Sequence, residues 1–237
     1  MNQNLNRNIF RTGFTIIELM LAMSFVSVLL VSVTMTVIQI SHIYNKGLMM
    51  KGTNQAGRSI IDELQRSINS SPSFDLSNNY RTKVLSDGSS AGRLCVGQYS
   101  YIWNDGKTLS GLATGYIYRY ENPDQDTQIR LVKVLDADAS YCSNPDKLVV
   151  KADSNDLLGS NQYNLVIQKF NISSSDSALD SRTGQRLYRI EFYLGTNDQN
   201  ALIDSIACKP TSLLGSNSSF CSVVGFNILV RAGNVAK

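Results

Sequence analysis

GFTIIELMLAMSFVSVLLVSVTMTVIQIS, residues 13–41, is the stretch on which the reading of the whole chain turns. From Phe14 to Ile40 the only charged residue is Glu18, and neither proline nor glycine interrupts the run. As an α-helix these 27 residues extend roughly 40 Å at about 1.5 Å per residue. A bilayer hydrocarbon core is about 30 Å thick, so the segment is long enough to span it. A cleaved secretory signal would have a shorter apolar region followed by small residues at a cleavage site, and no such site follows here. A plain membrane anchor fits the length, with Glu18 as an acid tolerated near a helix end, where its insertion cost falls. A third reading uses the order of residues: a polar leader with Arg7 and Arg11, then Gly13, then an apolar helix opening on Phe14 with Glu18 fifth.

That order resembles the class-III signal of type IV prepilins, found in pilins, minor pilins and type II secretion pseudopilins. Gly13, Phe14, Thr15, Glu18 and the uncharged helix behind them carry the match. The resemblance implies cleavage after Gly13 by a prepilin peptidase and methylation of the new amine on Phe14. It also implies packing of many such helices into a filament core. The physics of Glu18 agrees. A freed amine on Phe14 has an unperturbed pKa of about 7.7–8.0, and a buried carboxylate is tolerable when an opposite charge meets it. In a stack of parallel helices, Glu18 of one subunit would pair with the Phe14 amine of its neighbour and set the axial register. Two arginines ahead of the span keep the leader cytoplasmic and send the C-terminal part outward.

The 237-residue chain carries a formal net charge of +3. Loss of Arg7 and Arg11 with the leader brings the side-chain total to +1, so charge gives no support for a nucleic-acid partner. Cys95, Cys142, Cys208 and Cys221 form an even set in an exported chain, which points to two disulfides with three connectivities open. The favoured pairing is Cys208–Cys221, closing a short loop, together with Cys95–Cys142. Zinc is the alternative, but no C-x-x-C pair is present and the single histidine, His42, is far away in sequence. Disulfides place the globular part in an oxidising compartment.

Beyond Ile40, the positions Ile43, Gly47, Met50, Asn54, Gly57, Ile61, Leu64 and Ile68 step by four and three, one face of a continuing helix. Pro72, the first proline, sets a stop near residue 69. Gly47, Gly52 and Gly57 mark either local weakness or close approach to other backbones. Residues 72–92 read as a linker. RLCVGQYSYIW (93–103) reads as one strand, turning at Asn104-Asp105-Gly106 towards a partner in 107–121. IRLVKVLD (129–136) and KLVVKA (147–152) read as further strands, and 163–173 and 185–196 as a pair joined by SSSDSALDSRTG. VVGFNILVRA (223–232) is apolar enough to be a central strand. The organisation expected is a leader (1–13), a transmembrane or filament-core helix (14–40), its amphipathic continuation (41–70) and a β-rich head (71–237). This is an α+β pilin fold, a long N-terminal helix packed on a C-terminal antiparallel sheet.

Within the pilin class, GYIYRYENPD, NLVIQKFNIS and GFNILVRA are similar to segments of PilW-type minor pilins and the related GspJ pseudopilins. Many major pilins have a proline partway along the helix, and this chain has none before Pro72. The resemblance implies a minor pilin that initiates or caps a type IV pilus. A GspJ-like secretion pseudopilin, and a pilus-borne adhesin or DNA-binding subunit, are the alternatives. The partners implied are the prepilin peptidase, other minor pilins, the major pilin, the inner-membrane assembly platform, and lipid along residues 14–40. No catalytic constellation, cofactor or metal site is expected. His42 sits just past the span, which disfavours a triad built on it. Asp124, Asp126, Asp136 and Asp138 form two D-x-D pairs but fail the EF-hand pattern, with Tyr141 where glycine is needed and Lys147 where an acid is needed. Tyr116, Tyr118 and Tyr120 share one strand face, more simply as cross-strand packing than as a base-stacking platform.

Overall fold

The computed structural model describes residues 13–86, 88, 90–110, 117–121, 128–151, 154–158, 163–210 and 220–233. Helix α1 runs unbroken from Ile16 to Asn69. After it come α2 (Leu76–Asn79), β1 (Tyr80–Val84), β2 (Ser90–Val96), β3 (Tyr99–Asn104), α3 (Gly106–Leu109), β4 (Arg119–Tyr120) and β5 (Val132–Leu135). Then follow α4 (Ser140–Ser143), β6 (Val149–Val150), β7 (Asn155–Asp156), β8 (Leu165–Leu179) and β9 (Arg186–Thr196). A 3-10 turn at Gln199–Ala201, β10 (Leu202–Ile203), β11 (Ala207–Cys208) and β12 (Val223–Ala232) complete the chain. The chain divides into two compact units, Met1–Tyr44 and Asn45–Lys237, so the second half of α1 belongs to the same unit as the strands.

In that unit α1 buries Thr53, Ala56, Gly57, Ile60, Leu64, Ser67 and Ile68. This stripe shares Gly57, Leu64 and Ile68 with the expected one but is rotated from it: Ile60 is buried and Ile61 only partly so, while Ile43 and Met50 are exposed. The rotation follows from what meets the helix. A Cβ on Gly57 would come within 2.0 Å of the Phe226 ring, and one on Gly52 within 2.3 Å of the Tyr163 ring. Aromatic rings thus occupy the places that side chains would take at Gly52 and Gly57: the close approach is by side chains and not by the other backbones expected. Around Gly47 there is open space.

Two larger sheets stand behind the helix: a five-stranded one in the order β1-β2-β3-β5-β7 and a three-stranded one in the order β12-β9-β8. All pairs within both are antiparallel. One apolar core joins α1 (Ile60, Leu64, Ile68) to the first sheet (Leu94, Tyr101, Trp103) and to the second (Leu165, Ile190, Phe192, Leu194). The α+β arrangement of long helix and antiparallel sheet is therefore present, with two sheets where one was expected. It is compatible with a pilin-like fold.

The other face of the first sheet is covered as well. Ala91, Cys95 and Ile102 pack on Tyr118, Ile129, Tyr141, Cys142 and Val150 in a second cluster. A strand buried on both faces shows a continuous apolar run in place of alternation, which is why 93–103 looked like a single strand. It is a hairpin, β2 and β3, joined at Gly97, whose φ is +58°. Nor is the stretch before it a linker: α2 and β1 occupy residues 76–84, and β2 starts at Ser90. Asp105-Gly106 opens α3 in place of a hairpin turn, with the Asp105 carboxylate accepting from Thr108 N–H at 2.8 Å. Among the described residues of the expected partner strand, β4 is the strand that forms, and it pairs in parallel with β6; residues 111–116 lie outside the described residues. The pairing of β8 with β9 is as expected, but β8 continues to Leu179, well into the proposed loop. β12 lies at the edge of its sheet and not in the middle; β9 is the central strand.

The disulfides join Cys95 to Cys142 and Cys208 to Cys221. The first ties β2 to α4 within the second cluster, and the second ties β11 to the residues leading into β12.

Candidate processing and assembly segment

Gly13, Phe14 and Thr15 precede the helix in non-helical backbone. Phe14 is 88% exposed, and a Cβ on Gly13 would meet nothing within 4 Å. The Gly13–Phe14 bond is therefore accessible in an irregular stretch, the condition a peptidase needs.

Thr15 and Glu18 then start the helix as a reciprocal pair. Glu18 N–H donates to Thr15 Oγ1 at 3.3 Å, while Thr15 N–H and Oγ1 donate to Glu18 Oε2 at 2.9 and 3.0 Å. This is a capping box, in which side chains at the N-cap and third helical positions satisfy backbone donors that the first turn leaves open. The acid in the apolar run thus has partners within its own chain. The four-residue pattern Thr15-Ile16-Ile17-Glu18 was visible in the sequence, and its local role was the part of this site that went unread.

Downstream, the helix exposes large apolar side chains without interruption, among them Ile17, Leu21, Phe25, Leu29, Val33 and Ile40. Its hydroxyls are satisfied within the helix. Ser24 donates to Leu21 O at 2.8 Å, Ser27 to Met23 O at 2.8 Å, and Ser32 to Val28 O at 2.9 Å. Thr34 and Thr36 donate to Leu30 O and Ser32 O at 2.8 and 2.9 Å. Backbone carbonyls thereby absorb the hydroxyl donors, which is what a helix immersed in hydrocarbon requires. Among the described residues α1 is the one helix long and apolar enough to cross a membrane.

The other residues singled out in the sequence belong to packing. Asp136 is a structural acceptor: it takes hydrogen bonds from Ser100 Oγ (2.7 Å), Ser140 N–H (2.9 Å) and Tyr141 N–H (3.1 Å) at the head of α4. Burial alone raises its pKa, but these bonds outweigh burial and hold the carboxyl below the usual aspartate value. Asp138 is exposed, and Asp124 and Asp126 lie outside the described residues. Tyr118 is buried and Tyr120 half-buried, so these two form no exposed stacking platform, and Tyr116 lies outside the described residues. Among the described residues no three His, Cys, Asp or Glu side chains are grouped so as to hold a metal ion. All four cysteines are in disulfides. Besides the two cystines, Thr15 and Glu18 are the sequence-predicted residues seen in contact among the described residues. No protein-family model, curated protein or solved structure matches this chain.

Proposed function

We propose that the chain is a minor type IV pilin of PilW type. It is made as a precursor, cut after Gly13, held in the membrane by residues 14–40, and assembled with other minor pilins into the complex that starts or caps a pilus. The observation that carries this reading is the juxtaposition at the N-terminus. An exposed Gly13–Phe14 segment is followed at once by a capped acid and then by an apolar stretch, residues 14–40, in which no residue is buried. Such a surface needs lipid or other helices against it. Helices in lipid associate by packing and by polar pairing, since lipid tails are as apolar as leucine. Glu18 is the polar group available for pairing, with the Phe14 amine of a neighbour as its partner once the leader is removed. The chain's role is association, not catalysis.

N-terminal sequencing of the protein from cells with an active prepilin peptidase tests the reading. A mature chain beginning at Phe14, together with loss of surface pili on deletion of the gene, is the expected result. A chain that still begins at Met1 sinks it.

A further inference from the structure

Phe226 of β12 lies over Gly57 of α1, and the Gly233 N–H donates to Ser71 O at 2.9 Å. From Phe226 to Gly233 an extended strand covers roughly 23 Å at about 3.3 Å per residue. From Gly57 to Ser71 helical rise gives roughly 21 Å at about 1.5 Å per residue. β12 therefore runs alongside α1 in the same direction, and each element is a scale for the other. The ladder continues back past Val223, with Thr196 N–H donating to Ser222 O at 3.0 Å. Carried back on that scale, Cys221 comes level with Lys46, close to where α1 enters the unit at Asn45. This end of the unit holds the Cys208–Cys221 bridge and the hairpin of β10 and β11. With residues 14–40 spanning a bilayer, Lys46 is roughly 9 Å beyond the span along α1. The headgroup layer is about 5–8 Å deep on each side.

The hairpin at that end is built as a rigid tip. Leu202 pairs with Cys208 and Ile203 with Ala207. Ile206 N–H closes the turn on Ile203 O at 3.3 Å. Between them Asp204 and Ser205 take left-handed backbone, with φ of +52° and +61°, which suits the twist of a hairpin. The inner side of the tip is a small core of Ala201, Leu202 and Cys221. Its outer side is apolar: Ile203 is 41% exposed, Ile206 42%, and Phe220, next to Cys221, 54%. Single exposed apolar residues are ordinary. Three around one cystine, at the end of the unit where the chain leaves the bilayer, fit a lipid surface. Lys46 and Lys51, exposed on α1 at this end, and Lys209 beside the bridge supply cations for lipid phosphates; Asp204 is the acid of the tip. We propose that this cystine-braced tip is a foot resting on the membrane that α1 spans. Ile203, Ile206 and Phe220 dip into the phospholipid headgroups of the leaflet on the head's side. The inference rests on the reading of residues 14–40 as a membrane span. The foot holds the head on the bilayer surface until the chain leaves the membrane.

The test is tryptophan quenching in the full-length protein, reconstituted into vesicles of phosphatidylethanolamine and phosphatidylglycerol that carry a nitroxide either on the headgroup or deep in the acyl chain. The chain's single tryptophan, Trp103, is 3% exposed and serves as the unquenched background. Phe220→Trp is expected to lose roughly half of its added emission to the headgroup nitroxide, as an interfacial side chain does. Leu179→Trp is the control and is expected to lose none: its cross-strand partner Arg186 donates to Phe74 O, past the far end of α1. Leu29→Trp, inside the span, reports the anchor through the acyl-chain nitroxide. Quenching of Leu29→Trp without quenching of Phe220→Trp overturns the foot and leaves the anchor standing; quenching of neither overturns both. Equal quenching of Phe220→Trp and Leu179→Trp also overturns the foot. So does Phe220→Trp emission that is shielded from aqueous iodide but untouched by the nitroxide, because a second protein then covers the tip. If Phe220→Trp does not fold, Ile206→Trp takes its place under the same outcomes.

Discussion

Glu63 of α1 and Lys133 of β5 form an ion pair at 2.6 Å, which fastens the helix to the first sheet at a point where neither is fully buried. Tyr101 Oη donates to the same carboxylate oxygen at 3.0 Å and Ser67 Oγ at 3.2 Å, while the Lys133 ammonium lies 3.7 Å from the centre of the Tyr99 ring. The bond from Lys133 is the main reason the Glu63 carboxyl is held below the ordinary glutamate value, against the opposing effect of burial. Replacing Lys133 by Ala removes the partner of a half-buried acid. It is expected to cost about 1–3 kcal/mol, read from urea unfolding.

The pH dependence follows from the direction of these shifts. Glu63 and Asp136 both have depressed values in the folded protein. A group of this kind contributes stability that is fully present above its unfolded pKa and is lost as pH falls through its folded pKa. The melting temperature is expected to be flat above about pH 5 and to fall once the solution is more acidic than the ordinary carboxylate range of about 3.9–4.3. Glu63→Gln is expected to flatten part of that fall. A Glu63→Gln profile that overlays the wild type would remove Glu63 from the account.

Two helix glycines are expected to respond oppositely to alanine. At Gly47 a Cβ meets nothing, so Gly47→Ala gains helix propensity of about 0.8–1 kcal/mol and raises the melting temperature. At Gly57 the same Cβ drives into the Phe226 ring. Overpacking there costs about 1–3 kcal/mol and outweighs the propensity gain, so Gly57→Ala melts lower.

Removal of the Cys208–Cys221 bridge by paired alanine substitution is expected to destabilise the protein by about 2–4 kcal/mol. Peptide mapping without reduction is expected to recover Cys95 linked to Cys142 and Cys208 linked to Cys221, and no other combination.

Thr15→Ala removes the acceptor of the Glu18 N–H and one of the two donors to the Glu18 carboxylate, leaving the backbone N–H of residue 15 on it. Loss of a cap of this kind costs about 1 kcal/mol. In detergent the amide of Glu18 is expected to exchange several-fold faster, while amides beyond the first two turns are unchanged. Unaltered exchange at Glu18 would show that the Thr15 cap contributes nothing.

The helix was legible because its composition leaves no alternative: one charge in the apolar run and no proline before Pro72. β9 was legible because Tyr188, Ile190, Phe192 and Leu194 alternate with residues that face outward. Where a period-two reading failed, burial had erased the period. β2 and β3 carry apolar residues on both faces, and only the left-handed backbone at Gly97 separates them. β1 was missed for the opposite reason: as an edge strand it holds Arg81, Thr82 and Lys83, residues that look like loop. The apolarity of β12 resembled that of a central strand, and nothing local distinguishes an inner strand from an edge that lacks protection. At the N-terminal site the residues themselves were legible, but Thr15 was taken as part of a motif and not as the acceptor for the Glu18 amide.

Cys95 and Cys142 are 1% and 4% exposed and sit deep between β2 and α4. The covalent link between those elements must therefore be made while the domain is still opening and closing around it. In a compartment that keeps thiols reduced the link cannot persist. If the head crosses the membrane as proposed, a copy left on the cytoplasmic side would lack this link and keep a looser, more protease-sensitive head. On that reading the cystine would tie completion of the fold to delivery.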